Sequence, residues 1–125
     1  MLFRSWKSTD GGVSWTSNTD ELPSLGVTDI AFDPSNNNIM YIATGDGDAG
    51  DDYSVGVLKS TDAGVTWATT GLNWPTSQAS VLSRLLIRPD DPNTLIAAGN
   101  GIFRTTDAGA TWAQSSFTRD RKSVV

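Results

Sequence analysis

One eight-residue phrase occurs three times in this chain, and no other feature restricts its fold so tightly. The copies are Ser8-Thr9-Asp10-Gly11-Gly12-Val13-Ser14-Trp15, Ser60-Thr61-Asp62-Ala63-Gly64-Val65-Thr66-Trp67 and Thr105-Thr106-Asp107-Ala108-Gly109-Ala110-Thr111-Trp112. Their common form is S/T-T-D-x-G-x-S/T-W. From Asp10 to Asp62 is 52 residues, and from Asp62 to Asp107 is 45. Self-similarity at that period marks a stack of supersecondary units, each about the size of a four-stranded sheet.

The repetition extends upstream of the phrase. Val27-Thr28-Asp29-Ile30-Ala31-Phe32-Asp33-Pro34 aligns with Leu82-Ser83-Arg84-Leu85-Leu86-Ile87-Arg88-Pro89, and Ile39-Met40-Tyr41-Ile42-Ala43 with Thr94-Leu95-Ile96-Ala97-Ala98. The offset is 55 residues here and 45 at the phrase, so ten extra residues, Asp46 to Val55, lengthen the first unit. Each unit then reads as four strands. The first ends at a proline, which removes a ladder donor. A turn follows at residues 35–38 or 90–93, rich in Asn, Asp and Pro. The second strand is expected over 39–44 or 94–99, and the third over 57–60 or 102–105. The repeated phrase turns the chain into the fourth, over 66–70 or 111–115. Residues 3–8 and 14–17 match only a third and a fourth strand.

The residue types in the phrase suit a hairpin turn. An Asp carboxylate accepts from backbone amides later in its own turn, and a Ser or Thr two residues earlier adds a second local bond. Gly12, Gly64 and Gly109 are expected at positive φ, where a Cβ clashes. Trp15, Trp67 and Trp112 restart the strand and are large enough to fill a gap between neighbouring sheets.

These residues resemble the Asp-box, or BNR repeat, over nearly the whole chain. Families with this box include sialidases, xyloglucanase-type glycoside hydrolases, sortilin-like receptors and photosystem II assembly-factor-like proteins. The wording VTDIAFDP and GVLKSTDAGVTW is most similar to large secreted bacterial propellers of glycosyl-hydrolase-like kind. The resemblance implies an all-β fold, a partial β-propeller of about two and a half four-stranded antiparallel blades. Blades are expected at approximately residues 1–20, 21–72 and 73–118. In these families the box lies at the blade periphery. The resemblance therefore makes Ser8, Asp10, Gly12 and Trp15, Ser60, Asp62, Gly64 and Trp67, and Thr105, Asp107, Gly109 and Trp112 structural rather than catalytic.

Composition removes several functions. The chain has no cysteine and no histidine, which excludes disulfides, Cys/His zinc sites and a Ser-His-Asp triad within these residues. Its formal charge of -5 opposes nucleic-acid binding, which needs a basic face. No apolar run is long enough to span a bilayer, and the first residues lack an apolar stretch of signal-peptide length. A carbohydrate or protein ligand and the remaining blades of a parent propeller are the expected partners. Secretion or display at the cell surface follows from the resemblance.

The candidate ligand face comprises Asp29, Asp46, Asp48, Asp51, Asp52, Trp74 and Arg84. The acidic insert joins a second strand to a third and so lies at the end of the sheet opposite the box turns. Its Asp46, Asp48, Asp51 and Asp52 among glycines read either as oxygen ligands for calcium or as a solvated loop; no cofactor is required. Trp74 reads as a sugar-stacking ring or as a cap on the core. Asp29 and Arg84 hold equivalent positions in adjacent units and read as ligand contacts or as an inter-blade ion pair. Catalytic residues are not assignable. Arg4, Arg84, Arg88 and Arg104 with Tyr41 and Tyr53 do not reproduce a sialidase signature, since Leu86-Ile87-Arg88-Pro89 has the wrong order. Of a xyloglucanase-type carboxylate pair, Asp29, Asp46 or Asp48 is a candidate half. The expected role is a glycan- or protein-binding scaffold module; the alternative is part of a glycoside hydrolase whose catalytic residues lie mostly elsewhere. Residues 119–125 break the repeat and read as a non-native or disordered tail.

Overall fold

The computed structural model describes residues 6–17, 26–45, 53–78 and 80–115. The acidic insert from Asp46 to Asp52 and the expected tail, 119–125, fall outside the described residues. Ten strands run in chain order: β1 (Trp6–Lys7), β2 (Thr16–Ser17), β3 (Val27–Phe32), β4 (Met40–Thr44), β5 (Gly56–Ser60), β6 (Ala68–Asn73), β7 (Leu82–Arg88), β8 (Asp91–Gly99), β9 (Ile102–Thr105) and β10 (Ala113–Gln114). The described helical structure is one 3-10 turn, Thr76–Gln78. Strands β3-β4-β5-β6 and β7-β8-β9-β10 form two antiparallel meanders, and β1-β2 a two-stranded piece.

The two meanders share details that follow from aligned residues. Each first strand has an irregularity at its second residue, between Val27 and Asp29 and between Leu82 and Arg84. There Thr28 and Ser83 donate their hydroxyls to the carbonyls of Ala43 and Ala98 on the neighbouring strand. A hydroxyl residue at this point satisfies an acceptor where the ladder is interrupted.

Strand limits depart most from the sequence reading at β8 and at the fourth strands, where β6 also runs on to Asn73 instead of ending at residue 70. β8 begins at Asp91 instead of Thr94, because the Asp91 carboxylate holds the Asn93 amide and the Thr94 hydroxyl and Pro92 tolerates a strand's first residues. The fourth strands begin two residues late, at Ala68 and Ala113, since Thr66 and Thr111 are bound to Asp62 and Asp107 in the turn.

The apolar core is a seam between the two meanders. Ala31, Tyr41, Ala43, Val57 and Leu72 of the first face Leu82, Leu85, Leu95 and Ala97 of the second, with Trp74, Phe103 and Trp112 packed around them. Strand alternation puts these residues on one face of each sheet. Burying each large side chain here contributes about 1.5–3 kcal/mol. Polar bonds also cross the seam: Gly71 N–H donates to Gly109 O at 2.8 Å, and Leu85 N–H to Asp29 Oδ2 at 2.8 Å.

Gly71 shows how close the sheets approach. A Cβ on it would lie 2.3 Å from the Ala110 carbonyl oxygen. Gly71→Ala is therefore expected to destabilise the chain by about 1–3 kcal/mol in urea denaturation, whereas exposed Thr69→Ala changes stability by less than about 0.5 kcal/mol.

Candidate functional site

The repeated turn has the same geometry in all three copies. Asp62 Oδ1 accepts from the Thr66 amide at 2.8 Å and from the Ser60 hydroxyl at 2.8 Å, and Oδ2 accepts from the Thr66 hydroxyl. The Ser60 hydroxyl in turn accepts from the Gly64 amide at 2.8 Å. Asp10 with Ser8 and Ser14, and Asp107 with Thr105 and Thr111, repeat these bonds. Gly12, Gly64 and Gly109 have φ of 94°, 87° and 90°. Trp15 and Trp112 donate their indole N–H to Gly12 O and Gly109 O, whereas the Trp67 indole N–H is buried without a partner among the described residues.

The residue between Asp and Gly was not singled out by the sequence reading. Ala63 and Ala108 have φ of 61° and 60°, and Gly11 matches them at 73°. This left-handed conformation sends the two peptide groups of one residue to different sheets. Ala63 N–H donates to Asn38 O and Ala108 N–H to Asn93 O, each within its own unit. Their carbonyls face the preceding unit: Lys7 donates to Ala63 O, and Lys59 and Tyr41 donate to Ala108 O, both at 3.3 Å. Lys7, Lys59 and Arg104 each stand directly before the phrase, a repetition legible in the sequence.

The opposite end of the sheets carries the candidate ligand face. Asp29 spends Oδ1 on the Ile30 amide and Oδ2 on the Leu85 amide, joining the innermost strands of the two meanders. Arg84 is exposed. Trp74 lies half-buried against the seam with its ring centroid 5.6 Å from that of Phe103, and its indole N–H is buried without a partner among the described residues. The connection from β4 to β5 runs over residues 45–55, whereas the equivalent connection from β8 to β9 is only Asn100 and Gly101.

The base of that long connection is pinned. Thr44 Oγ1 accepts from the Val55 amide at 2.9 Å and donates to Gly56 O at 2.7 Å, and Ser54 Oγ accepts from the Gly56 amide at 2.9 Å. Ser54 N–H donates to Ser80 O, and Trp74 N–H to Val55 O, so the base is tied to the link between the meanders. Tyr53 is exposed beside it. The sequence reading weighed Tyr53 only for a sialidase signature and missed Thr44 and Ser54, whose pins form only after the chain has turned back on itself.

All seven described carboxylates are occupied by structural bonds. Asp10, Asp62 and Asp107 hold their turns, Asp29 joins the sheets, Asp33 binds Ser35, Asp90 pairs with Arg88, and Asp91 holds Asn93 and Thr94. Hydrogen bonds from Ser35 and Arg88 lower the Asp33 and Asp90 carboxyls below the usual range. A general acid needs the opposite shift. No cluster of three metal-ligating side chains occurs among the described residues, and no described helix is long and apolar enough to cross a membrane.

No protein-family model and no curated protein matches the chain. Solved structures do match in fold. An ancestral GH74 enzyme aligns over 93% of this chain with a TM-score of 0.72 and 19% identity. The GH74 xyloglucanase of Xanthomonas campestris aligns over 90% at 0.67 and 23%, and a Niastella koreensis GH74 enzyme over 90% at 0.65 and 23%. The fold is part of a β-propeller. The two meanders are adjacent blades, with β3 and β7 innermost, and β1-β2 is the outer half of another. This chain spans only 16–18% of the length of those structures.

The turn carboxylates make stability depend on acid. Hydrogen bonds from the side chain and then the amide of Thr66 lower Asp62 to about 2 from 3.8, and those of Thr111 lower Asp107 likewise. A carboxyl whose folded value is depressed contributes stability that is complete above the unfolded value and is lost as pH falls through the folded one. The melting temperature is thus expected to fall between pH 3.8 and about 2. Asp62→Asn combined with Asp107→Asn should lower it at pH 7 and flatten that acid limb in thermal melts across pH.

Proposed function

We propose that this chain forms Asp-box blades of a secreted propeller of glycoside-hydrolase type, in which it acts as a carbohydrate-binding scaffold and is not catalytic by itself. The observation that carries this reading is the commitment of every described carboxylate to structure, within a fold shared with GH74 enzymes. Glycosidic cleavage requires two carboxylates at a set separation with one free to hold a proton at working pH. Asp10, Asp62 and Asp107 are Asp-box residues in this reading, held ionised by their own turns.

Ligand contact falls to the insert end. In the sequence Asp46, Asp48, Asp51 and Asp52 fall between Thr44 and Ser54, which pin the base of the connection, and Tyr53 is an exposed ring at that base. A tyrosine offers an apolar face and a polar tip, which suits a sugar ring. Arg84 belongs to the same end as a polar contact, and calcium is the cation the acidic insert would take. Trp74, seated against the seam, supports the inter-blade packing beneath this end.

The test is an assay of the purified chain with aryl-glycosides and xyloglucan oligosaccharides, with and without calcium. No turnover is expected in either condition. Weak oligosaccharide binding is expected in calorimetry, reduced about three- to tenfold by Tyr53→Ala, the range of one ring contact. Turnover lost on Asp29→Ala or Asp48→Ala would overturn the non-catalytic reading, and binding indifferent to Tyr53 would overturn the assignment of the insert end.

A further inference from the structure

The blade β3–β6 presents one face to its successor, and the equivalent face of β7–β10 is exposed. Aligned positions show the contrast. Ala31, Tyr41 and Val57 are 6%, 1% and 0% exposed, whereas their counterparts Leu86, Ile96 and Ile102 are 60%, 38% and 40% exposed. Arg104 stands at the counterpart of Lys59 and lines a groove with Leu86, Ile96 and Arg88.

We infer that this face is the seat of a further blade carrying the same turn, and that Arg104 is its latch, donating to the carbonyl of the left-handed residue between the Asp and Gly of that blade. The same contact is made twice within the chain. Lys7 donates to Ala63 O, and Lys59 to Ala108 O, where Tyr41 adds a second bond. In both cases the cation directly precedes one turn and the acceptor sits in the next, one unit later. A carbonyl at positive φ is held outward by its own turn, so its acceptor direction is fixed before docking. Arginine supplies donors in a planar fork and fulfils the role lysine fills in the earlier units. The apolar residues around it supply the non-directional part of the contact. A second copy of this chain fits less well, because each copy carries a formal charge of -5 and encounters another with mutual repulsion.

This inference rests on the reading of the chain as part of a larger propeller, and not on what that propeller binds; its test measures docking alone. The chain lacks cysteine, so Ile96→Cys is a single thiol reporter on the exposed face. Its labelling rate is compared in the full chain and in an extended chain that repeats residues 73–118 directly after Thr118. The extension is expected to slow labelling on the order of tenfold, as one charge-assisted hydrogen bond and its apolar surround would. Arg104→Met in the first copy should restore most of the rate, Arg104→Lys should preserve the protection, and Arg104→Met in the unextended chain should leave the rate unchanged. Independently of the extension, Lys59→Met in the unextended chain should accelerate labelling of a Val57→Cys reporter in the existing seam on the order of tenfold. Undiminished labelling in the extended chain, protection indifferent to Arg104→Met, or a Val57→Cys reporter indifferent to Lys59→Met would each overturn the latch. Protection of Cys at position 96 that rises with concentration of the unextended chain would replace the further blade with a second copy and overturn the inferred occupant.

Discussion

The architecture depends on a carboxylate that never leaves its own turn. Asp62 and Asp107 gather the amide and hydroxyl of a Thr four residues on and the hydroxyl of a Ser or Thr two residues back. That closure holds an alanine at positive φ, an arrangement that costs an L-residue roughly 1–2 kcal/mol. The return is directional. The alanine amide points to its own blade and its carbonyl to the preceding one, so a local turn becomes an inter-blade joint. The apolar seam from Tyr41 and Val57 to Leu85 and Leu95 then packs between sheets whose spacing those joints help to set.

Using carboxylates in this way restricts where chemistry can occur. An aspartate bound by several donors is a poor proton donor near neutral pH, and the lowered values of Asp10, Asp62 and Asp107 follow directly from their turns. Asp29, equivalent to Arg84 on the next blade, spends its oxygens on two backbone amides and binds adjacent inner strands together. The carboxylates of the described blades thus serve the framework, whose connection between β4 and β5 is longer than the equivalent one between β8 and β9. Pinning that connection at Thr44, Ser54 and Ser80 allows an insert to vary without disturbing the strands that carry it.

Much of the fold was legible because a repeat states the same local solution more than once. Strand order, the glycines at positive φ and the self-contained bonding of the turn all follow from residues within a short stretch, where local sterics and side-chain reach decide the outcome. The late starts of β6 and β10 were equally local and were missed, because Thr66 and Thr111 were read as strand residues and not as the far half of the turn. Lys7, Lys59 and Arg104 repeat as visibly as the aspartates, but nothing in a single unit says that a cation there reaches the next one.

By itself the sequence determined an all-β chain of antiparallel four-stranded units closed by Asp-centred turns, because hydrogen bonding across four or eight residues needs no partner from far away. Tertiary structure alone decided what those units do to each other. It set Asp29 on Leu85 instead of on Arg84, seated Trp74 beside Phe103 against the seam, buried Ala31, Tyr41 and Val57, and left their counterparts Leu86, Ile96 and Ile102 exposed. Aligned residues in identical local structure differ in burial for one physical reason: burial is a property of what lies on the other side of the sheet, and that is contributed by chain some fifty residues away.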